Sequence, residues 1–183
     1  MSQYTDTYET VEEVTETGIH YFFLSEGKRD IIKAIQYTYA QDLLGKKVYN
    51  LGFGNYDPYT DCIIDDLTSN NGDQYQIFHT VLSTIPGFFR TYPDAMMMVQ
   101  GSDSTQRFIL NCRLTCKKNC NDRSCRNAHR RINLYKNYVE KNFETLNKEY
   151  TFLGSQTRIE DQPVTESFKK GKNYYTILFH KFS

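Results

Sequence analysis

Tryptophan does not occur among these 183 residues, and proline occurs only four times. No internal repeat or low-complexity segment is present, which excludes a repeat array. No apolar run approaches the roughly 20 residues that a membrane-spanning helix needs. The first stretch, MSQYTDTYETVEEVTETG, has neither the basic start nor the apolar core of a secretory signal. Net charge is missing too: 22 Lys plus Arg balance 22 Asp plus Glu, so the chain as a whole exerts little long-range pull on polyanions. No Ser, His and Asp arrangement and no nucleophile elbow is visible. These absences lead us to expect a cytoplasmic protein with no membrane partner. Reducing conditions there disfavour structural disulfides and leave metal binding or inert burial for the five cysteines.

What the chain does have is aromatic residues, 15 Tyr and 12 Phe, whose rings suit the half-buried pleated surface of a strand. With 39% hydrophobic and 24% charged residues, the composition is that of a globular chain, long enough for one domain whose core needs no covalent staple. Charge is unevenly spread. Five acids and no base lie between Asp6 and Glu16, and residues 1–17 read as a flexible acidic tail ahead of a single domain over 18–183. Between Arg113 and Arg131 seven bases accompany the single acid Asp122. Such a run is either a solvated helix face or a contact surface for nucleic acid or a protein partner.

HYFFLSEGKRDIIKAIQYTYA reads as two strands around a turn at Gly27. In KVYNLGFGNYD, Tyr49, Leu51 and Phe53 alternate onto one face of a third strand, and DCIIDDL forms a short fourth after the Asp57-Pro58 turn. Asn71-Gly72-Asp73 supplies a turn and a helix N-cap. The helix beyond it carries Tyr75, Phe78, Leu82, Ile85 and Phe89 on one face, and Pro86 requires it to kink or restart. AMMMVQG reads as a buried strand. Ser102, Asp103 and Ser104 are expected caps of a helix from about Thr105, which the cysteines interrupt. It resumes in HRRINLYKNYVEKNFETLNK, with Ile132, Tyr135, Val139, Phe143 and Leu146 on one face, and EYTFLG and NYYTILFHKF close the chain as strands. Strand runs joined by hairpins predict the α+β class: a mostly antiparallel mixed sheet with two main helices packed on it, and a cysteine-rich helical insertion at about residues 109–130.

That insertion holds the most specific chemistry. Cys112, Cys116, Cys120, Cys125 and His129 are spaced C-x3-C-x3-C-x4-C-x3-H. One continuous helix would not gather them around a metal, since residues eight apart lie about 12 Å apart along the axis while zinc holds its ligands at about 2.3 Å. Asn119, Asn121, Asp122 and Ser124 are poor helix-interior residues and offer a break. A reversal there brings Cys112 and Cys116 from one arm against Cys125 and His129 from the other, three thiolates and an imidazole around a structural zinc, with Cys120 as an alternative ligand. Two other readings stand beside it. Phe108, Cys112, Cys116 and Cys120 step by four, as small apolar core residues would, and the thiols also suit disulfides or a redox switch. Cys62 lies apart and reads as core.

YFFLSEGKRDIIKAIQY, GFGNYD, NNGDQYQIFHTV, PDAMMMVQGSDST and HRRINLYKNYV resemble successive blocks of a family of short, uncharacterised bacterial proteins, a domain of unknown function, over roughly Gly18 to the end. A second resemblance is to proteins with the GNAT fold, the acyl-CoA N-acyltransferase architecture, through the R-x-x-L-Y element of Arg131, Leu134 and Tyr135. It implies an acetyl-CoA-dependent acyltransferase with Tyr135 as general acid and Asn70, Asn71, Gly72 and Asp73 facing the cofactor. The pyrophosphate loop of that family, Q/R-x-x-G-x-G/A, falls on LTSNNGD, which has one glycine. Helix-start amides around Asn70 to Asp73 and Ser102 to Thr105 also suit a phosphate, or ordinary capping. Gly52 and Gly54 mark a bulge or twist, Asp57, Asp61, Asp65 and Asp66 are solvated turn residues, and His20, His79 and His180 are scattered structural histidines. The leading expectation is therefore a non-catalytic cytoplasmic protein acting through protein or nucleic-acid contacts of a basic, cysteine-rich protrusion, with acyl transfer as the alternative.

Overall fold

A computed structural model describes residues 6–64, 71–118, 120, 125–161 and 163–182. The chain divides into two compact units, Met1–Ala95 and Met96–Ser183. Nine strands and three α-helices occur among the described residues, and the strand pairs within each unit run antiparallel, so the α+β class expected from the strand runs holds.

In the first unit β1 (Val11–Thr15), β2 (Gly18–Ser25), β3 (Ile31–Leu43), β4 (Lys46–Asp57) and β5 (Cys62–Ile64) pair each with the next. Leu44 and Gly45 alone connect β3 to β4, and both take positive φ, 52° and 75°. That backbone twists with the strands it joins, and the glycine adopts it without steric cost. Strand β1 corrects the expected loose tail: Val11 pairs with Phe22 and Thr15 with Gly18. A strand paired through its backbone along one edge needs no apolar side chains, so Glu12 and Glu13 sit exposed on it without penalty. Upstream, Tyr8 is anchored as well, stacked on Phe23 at 5.3 Å and donating its amide N–H to Thr80 Oγ1 at 2.9 Å.

Helix α1 (Gln74–Thr91) lies against this sheet through Phe88, which stacks on Tyr37 at 4.8 Å and meets Tyr49 edge-on at 5.3 Å. Its buried residues include Leu82 and Phe89 of the expected stripe together with Thr80, Val81, Thr84 and Phe88, while Tyr75 is 81% exposed, so the buried face keeps part of that stripe and extends onto the threonines. Threonines occupy the inner face because their hydroxyls are satisfied locally: Thr80 Oγ1 donates to Gln76 O at 2.8 Å and Thr84 Oγ1 to Val81 O at 2.7 Å. The helix runs through Pro86 instead of restarting. The missing N–H costs one backbone bond, which the burial of Phe88 and Phe89 offsets at about 1.5–3 kcal/mol each.

The second unit orders its strands β6 (Met96–Gln100), β9 (Thr176–Lys181), β7 (Tyr150–Ser155) and β8 (Thr165–Ser167). Met96 to Val99 are all buried, as a strand without polar alternation requires. Helix α3 (Arg130–Leu146) buries Ile132 and Val139, and its Phe143 ring lies 5.8 Å from Phe168 and 6.2 Å from Phe152. Helix α2 (Gln106–Thr115) is different: it buries no residue, and Leu114 is 85% exposed. No helix among the described residues is long and apolar enough to cross a membrane.

Candidate metal centre

The segment between α2 and α3 is organised by sulfur. Helix α2 starts at Thr105, whose hydroxyl accepts from Phe108 N–H, and stops at Cys116, where the backbone turns extended at φ −71° and ψ 119°. Cys112 is therefore on the helix and Cys116 at its end. Cys125 precedes α3, whose first flanking residue, His129, takes the left-handed φ of 60°. The second arm is thus not the helical turn expected to carry Cys125 and His129 side by side. The reversal expected over Asn119, Asn121, Asp122 and Ser124 lies outside the described residues.

The thiols nonetheless come together. Cys116 Sγ is 3.3 Å from Cys120 Sγ. The Cys112 thiol interacts with those of Cys116 and Cys125, and the Cys120 thiol with those of Cys116 and Cys125, which closes a ring of four. N–H groups point at the sulfurs: Lys118 N to Cys116 at 3.5 Å, Arg126 N to Cys120 at 3.2 Å, and the Asn127 amide to Cys112 at 3.2 Å and Cys116 at 3.7 Å. All four cysteines are free and half-buried, whereas Cys62 is exposed and apart, not in the core as expected.

The donors divide the ring into two kinds of thiol. The Lys118 N–H, followed by the Cys120 thiol, holds Cys116 below its ordinary range. Desolvation pushes Cys125 up, but the Asn127 N–H, the Cys112 thiol and the Ala128 N–H together leave it lowered. At Cys112 the Asn127 amide acts downward, yet desolvation and the neighbouring thiols of Cys125 and Cys116 leave it raised. At Cys120 the Arg126 N–H likewise acts downward, and Cys116, desolvation and Cys125 outweigh it. Arg113, Lys117, Lys118, Arg126 and Arg130, near these cysteines in the sequence, are exposed. Cationic neighbours and N–H donors are what stabilises thiolate charge.

Among the described residues no three His, Cys, Asp or Glu side chains already form a group able to hold a metal ion. Four sulfurs at about 2.3 Å from a zinc stand about 3.8 Å apart, wider than the 3.3 Å between Cys116 and Cys120. His129, the expected fourth ligand, is held elsewhere. Its Nδ1 is 3.0 Å from Ser104 Oγ and its ring meets Tyr175 edge-on at 5.2 Å.

The start of α3 is capped by residues expected to cap α2. Asp103, 5% exposed, accepts the Arg131 N–H on Oδ2 at 3.1 Å and the His129 N–H on its backbone oxygen at 3.3 Å. Arg131 NH1 donates to Ser102 Oγ at 3.1 Å. A side chain on Gly101 would collide with Asp103 Oδ1 and Ser104 Oγ, so the turn has room only for glycine there. A carboxylate at a helix N-terminus satisfies an unpaired donor and favours the helix dipole. Because Asp103 caps a helix 27 residues downstream, local sequence carries no signal of it.

The residues of the acyl-transfer alternative fall in different units, Asn71 to Asp73 in the first and Tyr135 in the second. Burial pushes the Tyr135 phenol up to about 12, against the nearby Arg131 charge, which makes it a reluctant proton donor at neutral pH. Asn70 lies outside the described residues. Asn71 spends its side chain on the first unit's own chain, donating to Ser25 Oγ at 3.1 Å and Arg29 O at 2.9 Å. Gly72 takes φ 78°. Asp73 makes no side-chain cap bond and instead accepts from Ser25 Oγ at 2.6 Å and the Tyr8 hydroxyl at 2.8 Å. A carboxylate at the α1 N-terminus repels a phosphate.

These observations define an α+β protein with four cysteines, one on α2 and three between α2 and α3, in its second unit. The chain belongs to the family of unknown function DUF6934, whose model matches residues 4–115. The match begins upstream of the expected Gly18 and ends at the last residue of α2, so Cys116, Cys120, Cys125 and the HRRINLYKNYV block fall beyond it. No curated protein and no solved structure matches the chain, and the GNAT likeness finds no support among the comparisons.

Proposed function

We propose that this is a non-catalytic, cytoplasmic protein whose basic protrusion, stapled by a structural zinc ion on Cys112, Cys116, Cys120 and Cys125, contacts nucleic acid or a protein partner. The observation that carries the reading is the closed ring of four free thiols. Cys120 takes the place that spacing assigned to His129, because His129 already bonds Ser104 and packs on Tyr175. A closed set of four sulfurs leaves no position for water, which suits a structural and not a catalytic ion. The need for a staple is physical: α2 buries nothing, and a ten-residue helix is marginal in water on its own. Free thiols at this spacing fit a reducing compartment.

X-ray absorption at the zinc edge tests the ligand set. Four sulfurs at about 2.3 Å support it, and a shell with one nitrogen returns His129 to the site. For the contact surface, anisotropy with fluorescent single- and double-stranded oligonucleotides decides the partner. Affinity that falls steeply with salt and is lost in a Lys117→Glu, Lys118→Glu, Arg126→Glu variant supports nucleic acid; absent binding, or binding unaffected by these changes, rejects nucleic acid at this surface.

A further inference from the structure

We propose that Cys116 and Cys120 form a reversible dithiol–disulfide switch, oxidised by a hydroperoxide, that opens the four-cysteine site and releases its metal. The metal-release half rests on the zinc reading above; the pairing of the two sulfurs does not. The two Sγ atoms are 3.3 Å apart and need to approach by about 1.3 Å to reach disulfide length. Cys116 lies at the extended end of α2 and Cys120 belongs to no helix or strand. The rival pairing of Cys112 with Cys116 is disfavoured, because Cys112 is built into α2.

The chemistry balances with one oxidant. One thiolate attacks the O–O bond of the hydroperoxide, which breaks; an alcohol, or water from hydrogen peroxide, departs and a sulfenic acid remains. The second thiolate attacks that sulfur, the S–S bond forms, and the S–O bond breaks as water leaves. Two thiols and one hydroperoxide become a disulfide, a water and an alcohol or second water; ionised ligands draw the two protons from solvent. Two of four zinc ligands are consumed, and the ion leaves. A dithiol reductant reverses the reaction by exchange. Half-buried sulfurs admit the small oxidant.

The full-length protein, purified without a metal-binding tag, is treated with one equivalent of hydrogen peroxide. Released zinc is read with a chromogenic chelator, and remaining thiols are alkylated and mapped by mass spectrometry. Cys62, exposed and apart from the ring, is the internal reference. The expected result is a Cys116–Cys120 cross-link formed before Cys62 reacts, with loss of about 2 Da per chain, loss of the bound zinc, and recovery of both on reduction and zinc addition. A Cys120→Ser variant loses the cross-link, leaving Cys116 as a trapped sulfenic acid. Cys116 and Cys120 that oxidise no faster than Cys62, a dominant link between any other pair, or zinc loss through irreversible sulfinic acid without a link each overturn the switch. If the protein carries no zinc yet the Cys116–Cys120 link forms, the switch stands and the metal reading falls.

Discussion

Helices α1 and α2 are held in opposite ways. Helix α1 buries a stripe of threonine and apolar side chains, with Phe88 wholly covered among four aromatic rings. Helix α2 buries none and ends in a ring of thiols. The contrast teaches where stability comes from in each unit: apolar burial in the first, side-chain caps and sulfur chemistry in the loop of the second. Under the zinc reading proposed above, a helix of the first kind is expected to be indifferent to metal and redox state, and a helix of the second kind to depend on them.

The comparison is broken most severely by removing the aromatic anchor of α1. Phe88→Ala is expected to destabilise the first unit by about 3–5 kcal/mol, read as a lowered urea midpoint, while zinc binding by the refolded protein is unchanged. The reciprocal experiment is metal removal. With a chelator present, amide exchange over Gln106–Thr115 should approach the unprotected rate while Val81 to Phe89 in α1 stay protected. Equal loss in both helices would mean that the ring supports the whole chain.

Asp103→Ala removes the long-range cap of α3 and is expected to cost about 1–3 kcal/mol, with a Ser102→Ala control costing less because its partner Arg131 is solvent-accessible. Alkali tests the anchor of the first unit. Burial and then its bond to Asp73 push the Tyr8 phenol up to about 12, against an ordinary 10 when unfolded. The contribution of Tyr8 is therefore complete below pH 10 and lost as pH rises toward 12, and a difference between wild-type and Tyr8→Phe urea midpoints that shrinks over that range confirms it. The smallest expected effect is none: acetyl-CoA titrated into the protein should produce no binding heat, and saturable heat would revive the acyl-transfer reading of Tyr135.

The same contrast marks what was legible in the sequence. Strands β2, β3 and β4 were plain from alternating apolar residues and from turn residues between them. The existence of α1 was plain as well, with Leu82 and Phe89 of its buried face, but not the part formed by Thr80 and Thr84, polar residues that satisfy their own hydroxyls within the helix. Strand β1 was hidden by its acids, since an edge strand is held by backbone pairing and gives no apolar pattern. In the loop, spacing marked the cysteines as candidates but not the contacts they make. Choosing His129 over Cys120 assumed a second helical arm, whereas His129 adopts φ 60° and turns toward Ser104, a contact between residues 25 apart.

Zinc content per chain, measured by elemental analysis on protein purified without a metal-binding tag, tests the central claim most directly. The account predicts one equivalent of zinc, lost in Cys112→Ser and retained in His129→Ala. Less than about a tenth of an equivalent in the wild-type protein would contradict it, because a structural site of ordinary affinity does not give up its ion during purification.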